Sequence, residues 1–240
     1  MRINTKDYYD DFAQRYDARR AHAYHRLVDR LELELLAPLV RDRRVVDVAT
    51  GTGLTLCGLQ ELARHAVGID LSRGMLRRAR RRGLAVAQGT ATALPLATHS
   101  CDVACCFKAF PHLTEPKAAL AEMQRVVKPG GHVVVELYNP WSIRGLLRRR
   151  GPRRAISAAY HEGHVHTRYD TLAALERMLP TELVVEAVHG IRIVTAAGSL
   201  HSIPVLGALL GRLERWATGT PGLWRLAGFV VVTMRRTRDR

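Results

Sequence analysis

Apolar and polar positions along the chain predict strands that alternate with helices. Short apolar runs predict strands at 44–49, 66–70, 84–88, 101–107 and 131–138. Helical periodicity predicts helices between them at 54–63, 73–82 and 115–127. This alternation is typical of a doubly wound parallel sheet. Residues 183–194 and 229–234 are expected to add an antiparallel pair at the sheet edge. The pattern therefore predicts an α/β fold with a seven-stranded, mostly parallel sheet.

The N-terminal stretch predicts two helices with aromatic rings at regular spacing. Tyr8, Phe12 and Tyr16 recur at every fourth position, so they share one face of a helix. These rings either pack on the core or form a lid over a ligand site, and the pattern alone leaves both readings open.

Two insertions interrupt the second half of the chain. Residues 139–168 follow the fifth predicted strand and are broken by proline and glycine, and residues 198–226 separate the last two strands. Ligands of parallel sheets bind at the carboxyl ends of the strands, so both insertions are placed to cover a substrate. We interpret residues 1–240 as one domain, with a helical cap (1–40) and a cofactor-binding core (41–138).

A glycine turn after the first predicted strand carries the strongest chemical signal. Gly51 and Gly53 follow this strand, and glycine permits positive φ and close approach of a ligand to the backbone. The N–H groups of the next helix point back at such a ligand. Asp70 ends the second strand, where an acid accepts hydrogen bonds from a ribose diol. The arrangement predicts a site for a nucleotide-like cofactor.

The same turn indicates which kind of cofactor fits. The dinucleotide fingerprint has a third glycine, and Leu56 stands in that place. Asp47 is expected under the turn, where it would repel a pyrophosphate but attract a cationic group. A nucleoside that bears an amino acid is therefore favoured over a dinucleotide.

Several motifs together resemble those of the class I S-adenosylmethionine-dependent methyltransferases, in particular the branch similar to the ubiquinone/menaquinone-biosynthesis enzymes. The motifs lie at 8–17, 45–53, 67–72, 88–96, 101–106 and 119–131. Ala49 stands where the family usually has glycine, and Thr90 stands where it often has aspartate. The resemblance covers about residues 5–138 and implies a Rossmann-like methyltransferase fold with a helical cap.

The resemblance also implies S-adenosylmethionine as the cofactor and a set of residues that bind it. These residues are Tyr16, Asp47, Ala49, Thr50, Gly51, Gly53, Asp70, Leu71, Met75, Thr90, Ala91 and Phe107. The cofactor would carry the reactive methyl group, while the protein supplies position and electrostatics.

Candidate residues for the acceptor side come from the ends of the fourth and fifth strands and from the insertion that follows. His112 lies in a family position that faces the methyl group and is the candidate catalytic base, although a capping or core role stays open. Substrate contacts are expected from Tyr8, Lys108, Tyr138, Asn139, His161 and His164. Glu136 is expected to pair with an arginine. No metal is expected, because the histidines of the insertion have no clear fourth ligand.

The charge of the chain raises the question of an anionic partner. The net charge is +15, only four of the 37 basic residues are lysines, and arginines cluster at 73–82, 144–154 and 235–240. Such clusters bind phosphate backbones or anionic lipid surfaces, or they are solvated helix faces. The N-terminus has no apolar secretory segment, so a cytoplasmic protein is expected, with peripheral membrane contact through the arginine clusters as an option.

These observations predict an S-adenosylmethionine-dependent methyltransferase that acts on a small or lipophilic acceptor. A quinone precursor, a lipid or a secondary metabolite would fit. Two alternatives stay open, namely a nucleic-acid methyltransferase for rRNA or tRNA and a non-catalytic cofactor-binding protein. The sequence does not determine the oligomeric state or whether carbon, oxygen or nitrogen is methylated.

Overall fold

The computed structural model describes residues 9, 13, 16, 17, 20, 22–142, 166–195 and 197–237. The strands are β1 (Arg44–Val48), β2 (His65–Asp70), β3 (Val86–Gln88), β4 (Cys101–Cys106), β5 (Val127–Tyr138), β6 (Leu183–Ile191) and β7 (Phe229–Arg236). The helices are α1 (Ala23–Val40), α2 (Leu54–Leu62), α3 (Arg73–Arg81), α4 (Pro116–Val126), α5 (Leu172–Glu176) and α6 (Pro204–Gly219). Short 3-10 turns occupy Phe110–His112, Gly198–Ser202 and Leu223–Leu226.

The seven strands form one sheet in the order β3-β2-β1-β4-β5-β7-β6. The first five strands run parallel, and β7 runs antiparallel between β5 and β6. The predicted fold class is therefore confirmed, including the antiparallel pair at the edge. Strand β5 begins earlier than the expected residue 131, because Val127 already pairs with Cys101 before the register shifts.

Helices cover both faces of the sheet, so its central strands are buried on both sides. On one face α1 and α2 pack their apolar stripes, with Leu31, Leu36 and Leu59 fully buried. On the other face α4 packs Leu120 and Met123 against the strands. Strands that are buried on both faces read as continuous apolar runs, and this explains why the sequence pattern located them well.

The order of the strands creates a crevice at their carboxyl ends. The chain runs outward from β1 to β2 and β3 on one side and from β4 to β5 on the other. Ligands bind at such a switch point in open parallel sheets. The turn after β1, the end of β2 and the residues that follow β4 and β5 therefore surround one site.

Within the described part of the chain, no helix is both long enough and apolar enough to cross a membrane.

Candidate active site

The glycine turn after β1 is built from three residues in left-handed conformation. Ala49, Gly51 and Gly53 have φ of 57°, 59° and 82°. A Cβ at Gly51 would meet no atom of the described residues within 4 Å, whereas a Cβ at Gly53 would lie 2.3 Å from Leu84. Gly51 therefore opens the cradle toward a ligand, and Gly53 lets α2 pack closely on its neighbours.

Asp70 lies over this turn at the end of β2. Its carboxylate accepts hydrogen bonds from the backbone N–H of Gly51 at 2.8 Å and of Ser72 at 2.8 Å. These bonds orient the carboxylate toward the cradle at Gly51. Since a carboxylate has about four acceptor positions, this orientation leaves Asp70 able to accept from hydroxyl groups as well. The open cradle and the oriented acid fit the nucleoside part of the predicted cofactor.

Asp47 is buried beneath the turn, as the sequence predicted. It accepts a hydrogen bond from the Thr50 hydroxyl at 2.6 Å, and the thiol of Cys105 lies 3.8 Å away. Burial raises the pKa of Asp47 to about 6. The pKa of this carboxyl therefore lies close to neutral pH. A cationic group beside it would favour the ionised form.

The other predicted cofactor residues divide between the rim and the core. Leu71 follows Asp70 and is 42% exposed, while Thr90 and Ala91 lie half-buried beyond the end of β3. Met75 and Phe107 are buried. The rim residues are accessible for direct contact with a ligand. Met75 and Phe107 belong to the core that supports the site.

The described residues of the N-terminal stretch are anchored on the glycine turn. Thr52 donates its hydroxyl to Asp17 at 2.7 Å, and Arg82 donates both to Asp17 at 2.8 Å and to the Thr52 carbonyl at 2.7 Å. Tyr16, the residue before Asp17, is half-buried, and burial raises the pKa of its phenol. Sequence reasoning missed Asp17 and Arg82, since only the fold brings them together. Tyr8 lies outside the described residues.

His112 is held in one orientation on the acceptor side of the crevice. Its Nδ1 lies 2.9 Å from the carbonyl oxygen of His166, and the Thr167 hydroxyl lies 3.2 Å from the same nitrogen. A carbonyl only accepts, so Nδ1 carries the proton and donates it. In the neutral ring Nε2 is then the acceptor, and it lies 3.4 Å from the hydroxyl of Tyr138. The structure thus brings together two residues that the sequence singled out separately.

Lys108, at φ of 58° two residues after the end of β4, is engaged in a buried charge cluster. Its ammonium forms ion pairs with Glu32, which is fully buried, and with Asp29 at 3.0 Å, and Asp29 also pairs with Arg20. Burial alone would lower the pKa of Lys108, but the Glu32 carboxylate raises it. This pairing argues against the predicted contact of Lys108 with an acidic acceptor.

Glu136 on β5 joins the cluster without the arginine partner that the sequence predicted. The carboxyl is fully buried, and no described arginine forms an ion pair with it. Burial raises the pKa of Glu136 well above its usual range, and the negative charge of Glu32 adds to the rise. Burial and the neighbouring Glu32 therefore both favour the protonated form of Glu136.

Asn139 ties the end of β5 to the turn before β7. Its amide donates to the carbonyls of Arg225 at 2.8 Å and Ala227 at 2.9 Å, and its oxygen accepts from the backbone N–H of Trp141 at 3.0 Å. These bonds give Asn139 a structural role, which argues against the predicted substrate contact. His161 and His164 lie outside the described residues.

Comparison with known sequences finds a protein family that matches the region around the glycine turn. Residues 46–135 match the model of a family described as a methyltransferase domain. A demethylmenaquinone methyltransferase from Renibacterium salmoninarum is 38% identical over 132 residues, which cover 53% of this chain and 55% of the relative. The same enzyme from Beutenbergia cavernae is 35% identical, with 56% and 58% covered. The chain spans about half the length of the curated relatives it matches.

Solved structures of low sequence identity share the whole fold. A SAM-dependent methyltransferase from Thermotoga maritima has a TM-score of 0.69 at 20% identity, with 97% of this chain and 99% of that chain covered. An S-adenosylmethionine-dependent methyltransferase from Mesorhizobium loti has a TM-score of 0.61 at 20% identity, with 90% and 99% covered. These similarities confirm the Rossmann-like fold over almost the full chain.

Proposed function

We propose that the chain transfers a methyl group from S-adenosylmethionine to a small lipophilic acceptor, on the premise that residues 46–135 match the methyltransferase domain family. The family match confirms the resemblance found in the sequence motifs, and S-adenosylmethionine is the cofactor that this resemblance implies. A quinone precursor is the first acceptor to test, because the curated relatives are named demethylmenaquinone methyltransferases.

The open cradle at Gly51 beside the oriented carboxylate of Asp70 is the observation that carries this proposal. When bound, S-adenosylmethionine supplies a methyl group on a positively charged sulfur. Asp70 would accept hydrogen bonds from the ribose hydroxyls. The exposed side chain of Leu71 and the small Ala91 would flank the base, and the buried Asp47 would favour the cationic amino-acid end.

On the acceptor side, His112 is proposed as the general base. The bond from Nδ1 to the His166 carbonyl leaves Nε2 as the proton acceptor, and histidine is the side chain that most often serves as a general base. Tyr138 lies within reach of the same nitrogen. A hydroxyl of the acceptor can therefore give up its proton to Nε2, either directly or through the phenol of Tyr138.

Apolar surface near the end of β5 supports a lipophilic acceptor. Trp141 and Leu226 are 63% and 61% exposed, and Asn139 holds their two segments together. Large exposed apolar side chains that lie close together mark binding surfaces. A cytoplasmic location, and peripheral membrane contact through the arginine clusters at 73–82, 144–154 and 235–240, complete the proposal.

Methyl transfer to a short-chain demethylmenaquinone analogue tests the proposal, with the analogue supplied in its reduced hydroquinone form so that it carries an acidic hydroxyl and a nucleophilic ring. We expect transfer of labelled methyl from S-adenosylmethionine, and we expect His112→Ala to lower kcat about 100-fold while cofactor affinity stays unchanged. His65→Ala, at the amino end of β2, is the matched control and should keep full turnover. Unchanged turnover in His112→Ala would remove this residue as the base.

Two other results would favour the alternatives. Transfer to RNA in place of the quinone analogue, with binding that weakens steeply as salt is added, would support a nucleic-acid methyltransferase. Saturable cofactor binding without transfer to any acceptor class would support a non-catalytic cofactor-binding protein.

A further inference from the structure

Helix α6 turns small and acidic residues toward the protein. A Cβ at Gly207 would lie 2.6 Å from the carbonyl oxygen of His201, and a Cβ at Gly211 would touch Leu27 of α1 at 3.7 Å. Glu214, one turn further on, is buried. Positions 207, 211 and 214 share one face of a helix, and this inward face also carries the buried Ala217 and Thr218 and the half-buried Leu206 and Leu210.

The opposite face of α6 presents large apolar side chains to the solvent. Val205 is 83% exposed, Leu209 52%, Leu213 40% and Trp216 65%. Their spacing of four, four and three residues forms a continuous stripe along the helix. We call these four residues the α6 stripe. Contiguous exposed apolar surface of this kind marks an interaction site.

The charges that α6 and its flanking turns present to the solvent are positive, and the neighbouring acid Glu34 of α1 is neutralised by an ion pair with Arg215 of α6. Glu214 is the one acidic residue in the sequence between 192 and 237, and its carboxylate points inward to accept from the backbone N–H groups of Val194 and Thr195. Arg212 on α6 and Arg225 beyond its C-terminal end are exposed. The surface therefore combines an apolar stripe, a tryptophan and a cationic border.

We propose that the α6 stripe docks on an anionic lipid bilayer, with α6 lying in the plane of the headgroups. An interfacial helix places its apolar side chains below the headgroups and its arginines beside the lipid phosphates, and tryptophan prefers the same depth. A second copy of this chain is the less suitable occupant, because it would bring two cationic borders of a chain with net charge +15 together.

This docking surface differs from the arginine clusters considered above and does not depend on the proposed activity. The contact is made by apolar side chains that insert, and the arginines only strengthen it. The α6 stripe also belongs to the insertion between β6 and β7. Binding to vesicles can therefore be measured without any acceptor or cofactor.

Co-sedimentation with vesicles tests the proposal. We expect the protein to bind vesicles of phosphatidylcholine mixed with phosphatidylglycerol, and to bind phosphatidylcholine alone more weakly. The double variant Leu209→Ser/Trp216→Ser should bind the mixed vesicles about 10-fold less tightly or weaker still. Val184→Ser on β6 removes an apolar side chain of similar exposure, 42%, away from the stripe and should bind like the unchanged protein.

Three outcomes would overturn the docking surface. Equal vesicle binding by the double variant would assign any binding to the arginine clusters, and no binding by the unchanged protein would exclude a bilayer. A concentration-dependent dimer in sedimentation that the double variant abolishes would assign the stripe to a second copy. Because the changed side chains are exposed, the thermal midpoint should stay unchanged, and a calorimetric titration with S-adenosylmethionine reports separately on the proposed function.

Discussion

Asp70 on the cofactor side and His112 on the acceptor side are oriented by partners at different distances along the chain. Asp70 accepts from Gly51 and Ser72, which are 19 and 2 residues away. His112 bonds to the carbonyl of a residue 54 positions away. The orientation of Asp70 is therefore set by a turn and the strand beside it, whereas that of His112, like the anchoring of Asp17 on the turn, exists only once distant segments have packed.

The acids of the glycine turn and the charge cluster around Lys108 also differ in how they handle charge. Asp47 and Asp70 accept from a hydroxyl and from backbone N–H groups, while Lys108 is buried among Glu32, Glu136 and Asp29. A buried charge cluster is held together by its partners, and the loss of one partner leaves another charge without its counter-ion. We therefore expect the cluster to be more sensitive to single substitutions than the turn.

Removal of the buried lysine should have the largest effect on stability. Lys108→Met leaves Glu32 without its cation in a fully buried place, and the free energy of unfolding should fall by about 3–5 kcal/mol. Lys128→Met is the matched control, since Lys128 pairs with Asp102 at 2.6 Å but is 41% exposed, and it should cost less than about 1 kcal/mol. Equal losses in urea unfolding would erase the difference between the buried cluster and the more exposed ion pair.

The buried acid of the cofactor side should appear as a pH dependence. The pKa of Asp47 is raised to about 6 in the folded protein, whereas in the unfolded chain it is about 3.9. Between about pH 4 and 6 the unfolded chain loses the proton first, so stability falls as pH rises through this window. The Asp47→Asn variant has no carboxyl to ionise at this position, so it does not lose this stability. Its free energy of unfolding relative to that of the unchanged protein should therefore rise by about 3 kcal/mol from pH 4 to pH 7.

Asp102 provides a control of opposite sign for this measurement. Its partial burial acts to raise its pKa, but the hydrogen bond from Lys128 prevails and lowers it. Asp102→Asn should therefore lose stability relative to the unchanged protein as pH rises from acid toward neutral. The same sign for both variants would contradict the assignment of the Asp47 shift to burial.

The smallest expected effect concerns the turn itself. Ala49 has φ of 57°, where a Cβ costs roughly 1 kcal/mol. Ala49→Gly should raise the free energy of unfolding by up to about 1 kcal/mol, because glycine adopts this conformation without that cost. Ala63→Gly, at an extended position after α2 with φ of −82°, should lower stability instead. A loss of stability in Ala49→Gly would show that the turn is not strained.

Much of the fold and half of the site follow from the sequence for physical reasons. Buried parallel strands produce apolar runs, and the turn with Asp70 is a local arrangement, so both are visible in the order of the residues. The bond between Thr52 and Asp17 and the tautomer of His112 depend on packing between distant segments. No local pattern records such packing.

Helix α6 shows a second feature that the sequence pattern does not determine. The sequence pattern puts Leu206, Leu209, Leu210, Leu213 and Trp216 on one helix face, and in the structure Leu209, Leu213 and Trp216 are exposed while Leu206 and Leu210 are half-buried. Periodicity does not say which face meets the protein, because that depends on the shape of the partner surface. Here the close approach to His201 and Leu27 selects the glycine face, and the apolar face is left outward.

Calorimetric titration with S-adenosylmethionine tests the central claim, that the cradle at Gly51 and the acid at Asp70 form a cofactor site. We predict saturable binding by the unchanged protein, no binding of NAD, and about 100-fold weaker binding of S-adenosylmethionine by Asp70→Ala. Asp102→Ala, which also removes a carboxylate that accepts from a backbone N–H, should bind normally. Equal affinity in Asp70→Ala and the unchanged protein would contradict the site.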